Sequence, residues 1–159
     1  MLKYLIACLL LSHSSLTLLY SQKTPPNTEK GIFFIKGGTN GRFDFEEGSP
    51  FSLEVGTGYF PLQNLLVGAD LGFQKAGPFS DFYARPFARY YAFQRIFGGV
   101  GLSASQFTSE KSQFIPDIEA GFALFLDSSL AFEPTFHYPI QENARPYISL
   151  NVSLFFSRF

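Results

Sequence analysis

Residues 65–74 read LLVGADLGFQ, and their order carries the fold. Leu65, Val67, Ala69, Leu71 and Phe73 share one parity; Leu66, Gly68, Asp70, Gly72 and Gln74 share the other. Successive side chains of a β-strand point to opposite faces. A strand here therefore has one wholly apolar face and one built largely of glycine and polar residues.

The stretch that follows, FYARPFARYYAF (Phe82–Phe93), sharpens the reading. Arg85 and Arg89 lie on one face with Phe87 and Tyr91, while Phe82, Ala84, Pro86, Ala88 and Tyr90 lie on the other. An arginine facing lipid at the midplane of a membrane barrel costs ~2–4 kcal/mol. The face with both arginines is expected to point into a barrel, where Glu54, Asp70, Asp117, Glu119, Glu133 and His137 are available on the same polar faces of other strands. Neighbouring strands place Asp70 beside Arg85 or Arg89, and small residues of the next strand (Gly99, Gly101, Ser103, Ser105) leave space for a guanidinium to reach farther. Stacking on Phe87 or Tyr91 suits the planar group.

The same period recurs along the chain. IFGGVGLSAS sets Ile96, Val100 and Leu102 against Gly99, Gly101 and Ser103. FIPDIEAGFALFL sets Phe114, Ile118, Ala120, Phe122 and Leu124 against Asp117, Glu119 and Gly121. LAFEPTFHY sets Leu130, Phe132, Phe136 and Tyr138 against Glu133, Thr135 and His137. YISLNVSLFF sets Ile148, Leu150, Val152, Leu154 and Phe156 against Ser149, Asn151 and Ser153. With GIFFIKGG and FSLEVGTGY the expectation is all-β, an eight-stranded antiparallel up-and-down barrel over 31–159. Each segment is near the ~9–11 residues that cross a bilayer at a tilt.

Connections alternate in length. Short turns are expected at Pro61–Asn64, Gln94–Arg95 and Asp127–Ser129; longer loops at Thr39–Ser49, Lys75–Asp81, Phe107–Gln113 and Ile140–Ala144. That asymmetry suits a membrane barrel. A soluble lipocalin-like barrel also alternates, but apolar inward, and its outside would be rich in Lys and Glu. Here the polar faces carry Gly, Ser, Asp, Glu, Thr, Asn and Arg, with Lys36 the one lysine placed in a strand. Tyr59 and Tyr90 beside short turns, and Phe114 and Tyr138 beside long loops, fit two aromatic girdles.

Composition agrees. In 159 residues there are 21 Phe, 8 Tyr and no Trp, and charged residues are 16%, below the ~25% usual in soluble domains. A net charge of −1 gives no basic stripe for nucleic acid. The first residues, MLKYLIACLLLSHSSLTLLYSQ, fit a secretory signal over 1–21 with cleavage near Ser21–Gln22, and 22–30 a flexible leader. Cys8 lies in LIAC, which resembles a lipobox, but too few residues precede it for a charged region and an apolar core. No cysteine remains after cleavage, hence no disulfide and no thiol nucleophile.

GYFPLQNLLVGADLGF and RPFARYYAF together resemble small outer-membrane β-barrel proteins of the OmpX and OmpA-barrel type. The resemblance covers about Gly31 to Phe159. It implies an integral, monomeric barrel in outer-membrane lipid, non-enzymatic and without cofactor, with a structural or surface-contact role in the envelope. It also implies that Phe159 is the C-terminal aromatic read by the barrel-assembly machinery. The apolar parity of the last strand is even and Phe159 is odd, which asks either for a bulge near Phe155–Phe156 or for recognition of Phe159 alone.

The other function classes have less behind them. A small porin-like pore conflicts with an eight-stranded interior, which side chains fill. For a lipid-A-modifying barrel enzyme, the only histidine of the mature chain is His137, expected to face Glu119 across the hairpin. FHYP offers no adjacent serine, and Ser149 and Ser153 read as ordinary lumen residues. A multi-histidine metal site is excluded, and Asp117 with Glu119 has no room for a sugar. Pro86, Pro116 and Pro134 lie inside expected strands, where each removes a ladder donor.

Overall fold

The computed structural model describes residues 28–41, 51–76, 79–93, 95–105, 113–142 and 145–157. The expected signal segment with Cys8, the leader up to residue 27, the loop with Arg42, Phe43 and Phe45, and Phe159 lie outside these residues.

The strands are β1 (Ile32–Gly41), β2 (Phe51–Leu62), β3 (Leu65–Ala76), β4 (Phe79–Ala92), β5 (Ile96–Ser105), β6 (Gln113–Phe122), β7 (Leu124–Phe125), β8 (Leu130–Pro139) and β9 (Tyr147–Ser157). Each pairs antiparallel with its neighbour from β1 to β6. β9 returns to pair with β1, and β8 pairs with both β6 and β9. The sheet is closed. β7 continues β6 in the same register, since Glu119↔His137 and Leu124↔Phe132 belong to one alignment. The molecule is thus an eight-stranded antiparallel up-and-down barrel with one strand interrupted at Ala123.

Alternation decides what faces where. Outward side chains form an exposed apolar surface that includes Leu53, Val55, Leu71, Val100, Ile118, Val152 and Leu154, with Val55 63% and Leu71 67% exposed. Inward lie Lys36, Glu54, Asp70, Arg85, Arg89, Asp117, Glu119, Glu133 and His137, all buried. Apolar outside and charged inside is the reverse of a soluble barrel, and a contiguous surface of this kind belongs against an apolar solvent. The lipocalin-like alternative is excluded.

The lumen has two tiers. At the short-turn end Phe34, Phe60, Leu66, Tyr91, Phe97, Phe125 and Phe155 form a buried cluster. Phe155 is its hub, with ring centroids 5.2 Å from Phe34, 5.2 Å from Phe125, 6.2 Å from Phe60 and 6.3 Å from Tyr91. Thr28 is sealed into the same end by two bonds to Asn64, through its hydroxyl at 2.7 Å and its carbonyl at 2.8 Å. The end of the expected leader is therefore fastened to the barrel. Asn64 supplies the left-handed conformation of this turn, with φ 65°.

Some boundaries differ from the sequence reading. The loop expected over Lys75–Asp81 is mostly strand: β3 and β4 stay paired to Ala76↔Phe79. Lys, Ser and Asp in this stretch imitate a loop, yet at the end of the barrel hairpin the Lys75 and Ser80 side chains are exposed while the backbone stays in the ladder. β1 likewise runs on to Gly41, past the expected loop start at Thr39, and β9 begins only at Tyr147. No bulge lies near Phe155–Phe156. β9 pairs with β1 without a shift down to Ile32↔Ser157, with Phe155 inward and Phe156 outward.

The prolines mark interruptions. Pro86 pairs on its β3 side with Ala69, while the β5 ladder skips from Ala84↔Ala104 to Phe87↔Gly101. Its missing N–H falls on the β5 side. Pro134 pairs with Leu150 in β9, and the ladder to β6 and β7 is broken between Gly121↔Thr135 and Leu124↔Phe132. That break falls where Phe122 would face Pro134; Ala123 keeps the β5 register, its N–H donating to the Arg95 carbonyl at 2.7 Å. Pro116 stands just before the first β6–β8 pair, Asp117↔Pro139.

Candidate functional site

The polar tier of the lumen begins from strand parity. Asp70 stands opposite Arg85 in the β3–β4 ladder, Arg89 opposite Gly99 in β4–β5, and Glu119 opposite His137 in β6–β8. Gly99 and Gly101 make the space. A Cβ on Gly101 would come within 2.5 Å of the Arg85 guanidinium, and one on Gly99 within 2.8 Å of Glu119 Oε1.

Into that space Arg85 spreads over three carboxylates. Its Nε and Nη2 donate to the two oxygens of Asp117 at 3.0 and 2.7 Å, Nη2 also to Glu119 at 2.7 Å, and Nη1 to Asp70 at 3.2 Å. Arg89 donates through Nε to Glu119 Oε1 and through Nη2 to Oε2 at 3.3 Å. Its guanidinium lies over Phe87 and Phe97, 4.7 and 4.8 Å from the ring centroids. Phe87 is the expected stacking partner. The second ring is Phe97, whereas Tyr91 donates its hydroxyl to Glu133 at 2.9 Å.

Lys36 was not among the residues singled out for the lumen, and the structure puts it at the centre. Its ammonium bonds Glu54 at 2.7 Å and lies 3.0 Å from Asp70 Oδ2. The usable signal was its parity: Lys36 shares a face with Phe34 and Gly38, opposite Ile35. Three buried cations thus face five buried carboxylates among the described residues. Neutral donors serve the excess: Tyr91 and Ser153 on Glu133, at 2.9 and 2.6 Å, and Tyr83 on Glu54 at 2.9 Å. Burying charge is tolerable only when it is paired and hydrogen-bonded in this manner.

Asp117, Glu119 and His137 present ligand atoms within 4.8 Å of one another. The positive charge that a metal would bring is already supplied by guanidinium, since Arg85 donates to both carboxylates and Arg89 to Glu119. His137 also meets a residue passed over in the sequence reading. Its Nε2 is 3.0 Å from Ser149 Oγ, and its ring lies flat against Tyr147 at 4.5 Å and 4°. Serine and histidine are on neighbouring strands, a proximity that a search for an adjacent serine in the sequence misses.

The eight lumen residues expected from parity, Glu54, Asp70, Arg85, Arg89, Asp117, Glu119, Glu133 and His137, are therefore all inward and buried. Solved structures with the same closed sheet include outer-membrane barrels. The N-terminal β-barrel domain of Pseudomonas aeruginosa OprF superposes with TM-score 0.60 at 14% identity, over 80% of this chain and 98% of that one. The Yersinia pestis outer membrane protein Ail gives 0.57 at 12%, over 80% and 100%. Neisserial surface protein A gives 0.52 at 11%, over 77% and 94%. The fold is that of a small outer-membrane β-barrel. No protein-family model matches the chain, and no curated protein sequence matches it.

Within the outer-membrane barrel fold the arrangement has clear chemical limits. The aromatic tier blocks one end of the lumen, and ion pairs cross the rest. What the described site does is hold charge in fixed pairs, some between neighbouring strands and others across strands that are not neighbours.

Proposed function

We propose that this protein is an integral outer-membrane barrel with a structural or surface-contact role in the cell envelope, a role that needs no turnover. The observation that carries the proposal is the inverted polarity: an exposed apolar wall around a buried, paired set of charges. Export through a signal segment over 1–21, cleaved near Ser21–Gln22, is part of the same proposal, as is recognition of Phe159 by the barrel-assembly machinery. A monomer in outer-membrane lipid is the expected state, because a closed ladder leaves no strand edge for a second copy. A pore is disfavoured by the lumen filling, with Arg85, Arg89, Tyr91 and Phe155 all buried.

The test is a heat-modifiability gel on outer-membrane fractions. The mature chain should be extracted only by detergent and migrate faster unboiled than boiled. Recovery from the soluble periplasm without a mobility shift sinks the proposal. Deleting Phe159 should lower folded yield, and an unchanged yield would shift the assembly signal to the run Ile148–Phe156.

A further inference from the structure

Asp117, His137 and Ser149 stand on β6, β8 and β9, three successive staves of the closed barrel. They form a hydrogen-bonded line. His137 Nδ1 lies 3.3 Å from Asp117 Oδ2, and His137 Nε2 lies 3.0 Å from Ser149 Oγ. Asp117, paired with Arg85, only accepts, so the imidazole proton belongs at Nδ1 and Nε2 is left as an acceptor. Asn151 Nδ2 donates to Ser149 Oγ at 3.0 Å, which directs the hydroxyl's own proton to Nε2. The two bonds from Arg85, at 3.0 and 2.7 Å, fix the carboxylate. A serine, a base and an orienting carboxylate in this order form the arrangement that activates a serine for attack.

The line sits one layer below the long-loop mouth. Tyr147 opens β9, is partly exposed, and lies over His137, with Ser149 two residues further in. Removing this ring uncovers the face of His137 against which Tyr147 stacks.

We propose that Ser149 is a nucleophile that accepts an acyl group from a small ester entering at the long-loop mouth, with His137 as its base and Asp117 holding the imidazole. This goes beyond the envelope role and does not depend on it. In the step, Ser149 Oγ bonds to the ester carbonyl carbon as its proton passes to His137 Nε2. The carbon–oxygen bond to the leaving alcohol then breaks, and the alcohol takes the proton from Nε2. The products are acyl-Ser149 and the free alcohol. The transient imidazolium faces Asp117 Oδ2 at 3.3 Å and Glu119 Oε2 at 3.7 Å.

The probe is p-nitrophenyl acetate, offered to the full chain folded in detergent, with release of p-nitrophenol followed and the acetyl group located by peptide mapping. Each variant is first checked for the unboiled mobility shift. Acetylation is expected on Ser149, faster in Tyr147→Ala, and slower in His137→Gln by about a hundredfold or more, the usual share of a general base. If His137→Gln does not fold, Asp117→Asn is read in its place, with slowing expected. Ser153, whose hydroxyl bonds Glu133 at 2.6 Å, is the internal control. The proposal is overturned if Ser149 is acetylated no faster than Ser153 in both wild type and Tyr147→Ala. It is equally overturned if the rate at Ser149 is the same without its base.

Discussion

Arg85 holds both oxygens of Asp117, two strands away around the barrel, at 3.0 and 2.7 Å. The same guanidinium reaches Asp70 on the strand beside it at 3.2 Å, so one side chain ties β3, β4 and β6 together through the interior. Removing it leaves three carboxylates short of a donor in a space water does not reach freely.

Arg85→Ala should therefore destabilise the barrel by about 3–5 kcal/mol, the usual cost of breaking a buried pair from one side. Lys75→Ala, on an exposed side chain, should stay within about 0.5 kcal/mol. Urea midpoints in detergent measure both. Equal midpoints would mean that the interior ion pairs carry no stability.

Two glycines of opposite orientation test how full the lumen is. A Cβ on Gly56 would collide with Asp70 Oδ1 and lie 2.7 Å from Lys36 Cε, whereas one on Gly98, facing outward, has its nearest neighbour at 3.8 Å. Gly56→Ala should cost about 1–3 kcal/mol through overpacking. Gly98→Ala should be neutral or stabilise by about 0.5–1 kcal/mol, because alanine loses less backbone freedom in a strand. The same unfolding assay reads the difference in sign.

Phe155 and Phe156 are neighbours in sequence and opposites in the fold. Phe155 is buried at the hub of the aromatic tier, while Phe156 is outward and stacks on Phe33 at 6.0 Å. Phe155→Ala should cost about 3–5 kcal/mol, the range for a buried aromatic truncated to alanine. Phe156→Ala should cost clearly less in detergent, where an apolar solvent fills its place. Similar losses at both positions would contradict the two-sided strand.

The hairpin turn after β7 carries a titratable device. Asp127 Oδ1 accepts from the Ser129 amide at 2.6 Å, the Ser129 hydroxyl at 2.8 Å and the Leu130 amide at 2.9 Å. These bonds hold its carboxyl below the usual carboxylate range. A lowered folded value means that the turn's contribution is complete above the unfolded value, about 4, and is lost as pH falls through the folded one. Protection of the Ser129 and Leu130 amides from exchange, taken relative to their intrinsic rates at each pH, should fall on acidification over that window. Asp127→Asn should flatten the response, and an unchanged pH profile in this variant would exclude the carboxylate as its source.

The sequence by itself determined which face each residue takes, because the strand period of two leaves no choice once Leu65–Gln74 and Phe82–Phe93 are read as strands. It also determined the local register across short turns. The three residues of Asp127–Ser129 were enough to set Glu119 opposite His137, as found. Where polar residues continued a strand past the expected boundary, as at Lys75–Asp81, composition misled, because backbone pairing at a barrel rim is indifferent to side chains that reach water. Tertiary structure alone decided the partners across the lumen. Whether Arg85 meets Asp117 or Glu133 and whether Lys36 meets Asp70 depend on how the staggers of successive strands add up around the closed sheet. That sum runs over several staves, and no single segment of the chain contains it.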